Sequence, residues 1–259
     1  MVIEFSKYQG AGNDFILIDN RAGHFDGDDP ARIEYLCHRR FGIGADGLLL
    51  LEETQGFDFR MKYFNSDGYE ASMCGNGGRC IVAFANRLGI IDRSARFLAS
   101  DGIHEALIDE DALVDLHMID VKNVQELPDG YFLNTGVPHL VHFVDDLHGV
   151  DVELDGRQLR YDARFQPEGT NVNFVKLTNN HLTVFTYERG VECETLACGT
   201  GITASALSTA VRMGLDKGNF QISAKGGELS VRFERDNGHF RQIWLKGPAI
   251  FVYSGEIEA

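Results

Sequence analysis

Two Cys-Gly-x-Gly runs, Cys74-Gly75-Asn76-Gly77 and Cys198-Gly199-Thr200-Gly201, stand 124 residues apart, and each opens a stretch that reads as a buried helix. The likeness extends upstream at the same offset. Phe59, Met61 and Tyr63 fall in register with Thr183, Phe185 and Tyr187, so that each Tyr is eleven residues ahead of its Cys. A device repeated at this spacing constrains the chain to two related halves of about 130 residues, each large enough for its own core.

The local patterns fill in those halves. Asp14–Asp19 and Leu48–Leu51 read as strands, and Pro30–Arg40 carries Ile33, Leu36 and Cys37 at helical spacing before Gly42. Phe57, Phe59, Met61 and Tyr63 alternate with polar neighbours, and Asn65-Ser66-Asp67-Gly68 is turn chemistry ahead of the first cysteine motif. Cys80 to Ala85 leaves almost no polar face, which predicts a helix surrounded by protein. Ile202–Met213 is rich in Ala, Ser and Thr and stops at Gly214, which predicts strands packed close around it. Elsewhere short strands dominate. The expectation is an α+β fold of two halves, each wrapping a curved sheet around a central helix. The repeat offset puts the boundary near Met118 to Val121.

Composition narrows the function. The net charge of -15 opposes binding to a phosphate backbone, and no Lys/Arg cluster relieves it, so nucleic acid is not an expected partner. No apolar run approaches the roughly 20 residues that span a bilayer, and the N-terminal residues lack the pattern of a secretory signal. The expectation is a cytoplasmic protein with no membrane partner. Cysteines 37, 74, 80, 193 and 198 are an odd set with no C-x-x-C pair, which favours reduced thiols over disulfides or zinc.

A cysteine beside glycine is most often a core residue, and Cys37, Cys80 and Cys193 keep that reading. Two registered copies at helix starts point elsewhere. At a helix N-terminus the unpaired N–H groups and the macrodipole favour negative charge and lower a thiol pKa, so the sulfur becomes a base. The adjacent glycines leave the same N–H groups open to a carboxylate. Two such motifs facing one α-carbon would remove a proton on one side and return one on the other, with the developing charge held by N–H donors. This scheme needs no metal, flavin or pyridoxal phosphate, and the sequence carries no recognisable site for one.

The runs Lys7-Tyr-Gln-Gly-Ala-Gly-Asn13-Asp14-Phe15, Phe64-Asn65-Ser-Asp-Gly68, Met73-Cys74-Gly-Asn-Gly77, Asn171-Val-Asn-Phe174, Tyr187-Glu188-Arg189-Gly190 and Leu196-Ala-Cys198-Gly-Thr-Gly201 together resemble the diaminopimelate epimerase family over essentially the whole chain. The resemblance implies a cofactor-independent exchange between LL- and meso-diaminopimelate, in lysine and peptidoglycan precursor synthesis, by a homodimer. It implies an α+β fold of two pseudo-symmetric domains, each a barrel-like, mostly antiparallel sheet wrapped around a central helix, at 1–118 with a returning strand at 248–259, and at 119–247. It makes Cys74 and Cys198 the acid-base pair and Gly75, Asn76, Gly199 and Thr200 the anchors of the reacting carboxylate. Asn13, Asn65, Asn171, Glu188 and Arg189 match substrate-binding positions; Arg189 suits the second carboxylate of the substrate and Glu188 its ammonium. His139 keeps its family position without an assigned role.

Three departures stand out. Gly47 replaces a Gln common among relatives, Val137 replaces the Asn of the usual Gly-Asn-Pro-His, and the stretch from Glu188 to Cys198 is one residue longer. Other racemases on the same scaffold, for histidine or for proline and hydroxyproline, are the enzyme alternatives, and a non-catalytic small-molecule binding protein is the alternative from another class. Gly42-Ile-Gly44-Ala-Asp-Gly47 matches G-x-G-x-x-G, but it follows a helix and precedes a strand, the reverse of the dinucleotide-binding order.

Overall fold

The computed structural model of the chain describes residues 2–71 and 73–258; the expected domain ends at Met1 and Ala259 lie outside the described residues. The chain divides into two compact units, Met1–Leu116 with Gly247–Ala259, and His117–Lys246. Among the described residues no helix is long and apolar enough to cross a membrane.

The first unit opens with strands β1 (Val2–Gly10) and β2 (Asn13–Asp19), an antiparallel hairpin. Ala11 and Gly12 turn it with φ of 52° and 84°, the double left-handed step that matches strand twist. Helix α1 (Pro30–Cys37) follows, capped by the Asp29 side chain on the Arg32 amide. It stops short of the expected Arg40 because His38 adopts an extended backbone and the Ile43 amide folds back onto the Leu36 carbonyl. Then come β3 (Gly47–Glu52), β4 (Phe59–Asn65), α2 (Gly75–Arg87), β5 (Ser94–Ala99), β6 (Gly102–Ile108) and β7 (Leu113–His117). β3 runs parallel to β2 and antiparallel to β4, and Gly47–Leu51 is buried throughout because both of its faces are covered. Leu48 and Leu50 join Ile16, Ile33 and Leu36 against α1. On the other face Leu49 and Met61 reach Gly77 of α2. α2 is buried from Gly75 to Ala85, packed among β1, β2, β3, β4 and β6.

The second unit holds β8 (Val124–Leu127), β9 (Gly130–Asn134), β10 (Pro138–Phe143), α3 (Val152–Arg160), β11 (Asn171–Thr178), β12 (His181–Glu188), β13 (Cys193–Thr195), α4 (Gly199–Met213), β14 (Lys217–Ala224), β15 (Gly227–Asp236) and β16 (His239–Pro248). α4 is its central helix, packed among β9, β10, β11, β12, β14 and β15. The buried hydroxyls of Thr203, Ser205 and Thr209 donate to the carbonyls of Gly199, Gly201 and Ser205, which pairs these three polar groups inside the core, whereas the buried Ser208 hydroxyl has no partner among the described residues. Strand β17 (Ile250–Glu258) then returns to the first unit, antiparallel to β1 from Val2↔Glu258 to Gln9↔Ile250.

The two units share a plan, but the register differs from the sequence expectation. Phe59 of β4 pairs in parallel with Phe97 of β5, and the corresponding pair in the second unit is Leu182 of β12 with Ile222 of β14. Phe59 and Met61 are buried, whereas the expected partners Thr183 and Phe185 are half-exposed; Leu182 and Val184 are the buried ones. The strand correspondence therefore lies one residue nearer the N-terminus than that of the cysteines, because a single-residue slip turns every side chain to the other face. The longer loop before Cys198 absorbs the difference at Glu192, with φ of 60°. This correction aligns Asn65 with Glu188 rather than with Arg189.

Candidate active site

Cys74 is the N-cap of α2 and Cys198 the N-cap of α4. Both have extended backbones and neither side chain caps its helix, while their carbonyls accept the first intrahelical bonds from Gly78 and Ile202 at 2.7 and 2.9 Å. Each sulfur thus sits at the positive end of a buried helix.

In the first unit the structure gathers Asn13, Cys74 and Asn76. The Cys74 thiol donates to Asn13 Oδ1 at 3.6 Å, and Asn76 Nδ2 donates to the same oxygen at 3.3 Å. Asn13 Nδ2 donates to Asp46 Oδ2 at 2.7 Å, and Arg39 joins Asp46 to Asp14. Lys7 pairs with Asp14 at 2.7 Å and donates to the Gly44 carbonyl. Burial works against the Asp14 charge, but Arg39 and Lys7 outweigh it and hold this carboxyl well below the usual range. The Lys7–Phe15 run is thus the scaffold that aims Asn13 at the sulfur. Asn65 is exposed at the end of β4, directly opposite Gly47 of β3. A Cβ at Gly47 would lie 2.5 Å from the Phe64 carbonyl and 2.6 Å from the Tyr63 ring, so the space at this position is already filled.

In the second unit Cys198 Sγ lies 3.4 Å from Thr200 Oγ1, and His139 Nε2 lies 2.9 Å from that same hydroxyl. His139 is fully buried, and burial, with the Arg189 cation adding to it, holds its pKa down at about 3. Asn173 Nδ2 contacts His139 Nδ1 and the Leu140 carbonyl, each at 3.1 Å, and Thr186 donates to Asn173 Oδ1 at 2.9 Å. Gly201 is required here, since a Cβ would stand 2.3 Å from Asn173 Oδ1. Asn171 Nδ2 donates to the Pro138 carbonyl and its Oδ1 accepts from the Arg189 amide at 2.8 Å, which fixes the loop that carries Arg189. The Arg189 guanidinium donates to the Glu168 carbonyl. Glu188 accepts from the Thr195 hydroxyl at 2.9 Å, and burial pushes its carboxyl up. Glu192 accepts from Arg160, Tyr161 and the Gly190 amide, which clamps its loop against the end of α3.

Sequence reasoning did not find Asp46, Asn173, Thr186 or Thr195, and gave His139 no role. Only Asn173, inside the quoted Asn171-Val-Asn-Phe174 run, carried a usable signal. The remaining cysteines have a different character. Burial pushes Cys37 and Cys80 up to about 12, and Cys193 is raised by burial and by Glu153, Glu188 and Glu194.

The architecture places the chain in a class of two-unit, sheet-rich α+β proteins. A *Bacillus anthracis* phenazine biosynthesis protein of the PhzF family superposes with a TM-score of 0.79 at 15% identity, covering 100% of both chains. A hydroxyproline epimerase from *Agrobacterium vitis* superposes with a TM-score of 0.69 at 14% identity, covering 99% of this chain and 92% of that one. Sequence comparison is more specific. Residues 5–122 and 131–252 match the diaminopimelate epimerase family model. The diaminopimelate epimerase of *Flavobacterium psychrophilum* is 50% identical over 255 residues, 97% of this chain and 98% of that protein. That of *Chlorobaculum tepidum* is 44% identical over 258 residues, 96% of this chain and 98% of that protein. The chain belongs to the diaminopimelate epimerase family and is an isomerase.

Proposed function

We propose that the protein interconverts LL- and meso-2,6-diaminopimelate by proton exchange at one α-carbon, with Cys74 and Cys198 as the acid-base pair. The observation that carries this reading is that both cysteines are N-caps of buried helices and each is followed by glycine. One thiolate takes the α-proton and becomes a thiol. The charge left behind spreads into the adjacent carboxylate, and the opposite thiol protonates the other face of the carbon and becomes a thiolate. Gly75, Asn76, Gly199 and Thr200 supply the amide donors for that carboxylate, and a preorganised donor of this kind is worth about 3 kcal/mol.

Asn13, Asn65, Asn171, Glu188 and Arg189 bind the rest of the substrate. Glu188, half-buried and raised by burial, gains most from a substrate ammonium, while Arg189 meets the distal carboxylate. The setting we infer is a cytoplasmic homodimer acting on a small-molecule amino acid in lysine and peptidoglycan precursor synthesis. The test is deuterium uptake from heavy water at the α-carbon, with the reduced protein and LL-diaminopimelate, histidine, proline and glutamate side by side. Uptake into LL-diaminopimelate alone supports the proposal; uptake into another of these and not into it, or into none, refutes it.

A further inference from the structure

The Asn13 carboxamide turns its oxygen toward the Cys74 thiol, 3.6 Å away, and its nitrogen toward Asp46. An amide that meets a ligand with its oxygen accepts a hydrogen bond; turned over, it donates one. The end that faces the thiol therefore decides which substrate group Asn13 can bind. We propose that Asp46 is the positioning residue that fixes this sense, and that Asn13 thereby acts as an acceptor for one of the ammonium groups of the substrate.

The placement begins in the strands. β2 and β3 run parallel with Phe15 beside Gly47, so Asn13 and Asp14 at the start of β2 meet Asp46 just ahead of β3. The Asp46 amide donates to the Asp14 carbonyl at 2.9 Å, which ties the two strand starts together. Asp46 Oδ2 then receives two donors, Asn13 Nδ2 at 2.7 Å and the Asp14 amide at 3.2 Å. A carboxylate only accepts, so an Asn13 oxygen turned toward it would meet a negative charge with no hydrogen between them. The short, charge-assisted bond selects the nitrogen.

The Asp46 carboxylate is itself held in place. Arg39 Nη2 donates to its Oδ1 at 2.7 Å, and the same guanidinium forks onto both oxygens of Asp14 at 2.7 and 3.0 Å. Lys7 pairs with Asp14 from the buried side. The Arg39 and Asp46 side chains are 59% and 44% exposed, and ion pairs with that exposure contribute little to folding. Their geometry is more complete than stability alone would require, and the one uncharged side chain it holds is Asn13.

The ammonium assignment rests on the diaminopimelate reading, whereas the sense of the carboxamide does not, so the test has a substrate-free arm and a kinetic arm. In a nuclear Overhauser spectrum of the ligand-free, full-length protein, the Asn13 side-chain amide protons should show a cross-peak to the Asp14 backbone amide proton, because both groups converge on one oxygen. Asp46→Ala should lose that cross-peak. Asp46→Asn should keep it, since two donors converge where its oxygen would stand, and Asp14 can still hold the Arg39 guanidinium. In steady-state kinetics Asp46→Ala should raise KM for LL-diaminopimelate at least about five-fold, with kcat changed less, because only a fraction of the molecules then present the oxygen. Asp46→Asn should recover most of that loss. Arg39→Gln is the control for a merely structural role: it removes the fork onto Asp14 and should lower the melting temperature at least as much as Asp46→Ala, yet leave KM within about two-fold of the parent. A parent without the cross-peak, or an Asp46→Ala variant that retains it, overturns the positioning role. An Asp46→Ala variant whose KM stays within about two-fold of an active parent overturns the acceptor role. A parent that shows the cross-peak but does not turn over diaminopimelate overturns the functional reading and the ammonium assignment together, and leaves Asp46 as the residue that orients Asn13.

Discussion

Arg79 donates from Nη2 to Asn76 Oδ1 at 2.8 Å while fully buried, and its other nitrogens reach the Gly75 and Pro248 carbonyls. A single guanidinium thereby ties the start of α2 to the end of β16. Burial holds its pKa below the ordinary guanidinium value, a cost accepted for three satisfied acceptors. Arg79→Met strands those acceptors at about 1 kcal/mol or more each, so the variant should lose about 3 kcal/mol in urea unfolding. Arg79→Lys, unable to reach all three, should fall between. A neutral Arg79→Met would show that the contacts do not hold the helix start.

The cysteines themselves give the sharpest activity prediction. Cys74→Ala and Cys198→Ala should each lower kcat for epimerisation at least about 100-fold, since each removes one member of the proposed acid-base pair. Their melting temperatures should stay near that of the parent, because neither thiol caps its helix. If the two sulfurs flank one α-carbon as proposed, mild oxidation should also join Cys74 to Cys198 and stop turnover until a reductant is added, with the crosslinked peptide visible by mass spectrometry. Inactive oxidised protein with both thiols free would count against that pairing.

His139 sets a pH dependence whose sign follows from its burial. Its folded pKa of about 3 lies below the unfolded value of about 6.5, so the unfolded chain binds the extra proton between those limits. The stability is fully present above the unfolded pKa and is lost as pH falls. Between pH 7 and 5 this one group should remove about 2 kcal/mol. Urea titrations of the parent and His139→Gln should differ by about that amount in their pH 7 to 5 change; equal changes would assign a charged or exposed state to His139.

Gly47 invites a substitution that the fold should resist. Restoring Gln there puts a Cβ 2.5 Å from the Phe64 carbonyl, a backbone atom that cannot swing aside. Gly47→Gln should therefore cost about 1–3 kcal/mol, read as a lowered melting temperature, rather than simply add a substrate contact. An unchanged melting temperature would mean that the β3–β4 pair relaxes freely.

The thiol motifs, the long apolar helices and most strands were legible because periodicity and composition are local signals. What stayed hidden was set by contacts distant in sequence. α3 carries Gly156 at its middle, which reads as a breaker, yet a Cβ there would stand 2.5 Å from Tyr187. β1 became a strand by pairing with both β2 and β17, although Ser6 and Lys7 interrupt its apolar pattern. The repeat register failed for a related reason. Thr186 is buried beside Asn173 while Phe185 is half-exposed at the edge of the cluster that holds Leu140 and Phe174, and the offset fixed at the cysteines places the strand one residue out. Asp46 could not be read as a support of Asn13, because its partners Asn13, Asp14 and Arg39 lie elsewhere in the sequence.

The return of β17 has a consequence for how the chain can be divided. Residues 117–246 form one continuous segment, whereas the first unit is assembled from residues 1–116 together with 247–259. The Pro248 carbonyl that receives Arg79 and the strand that borders β1 both come from that second piece. A fragment cut at residue 116 thus loses a support of the helix start at Cys74, while a fragment spanning 117–246 keeps every residue named around Cys198.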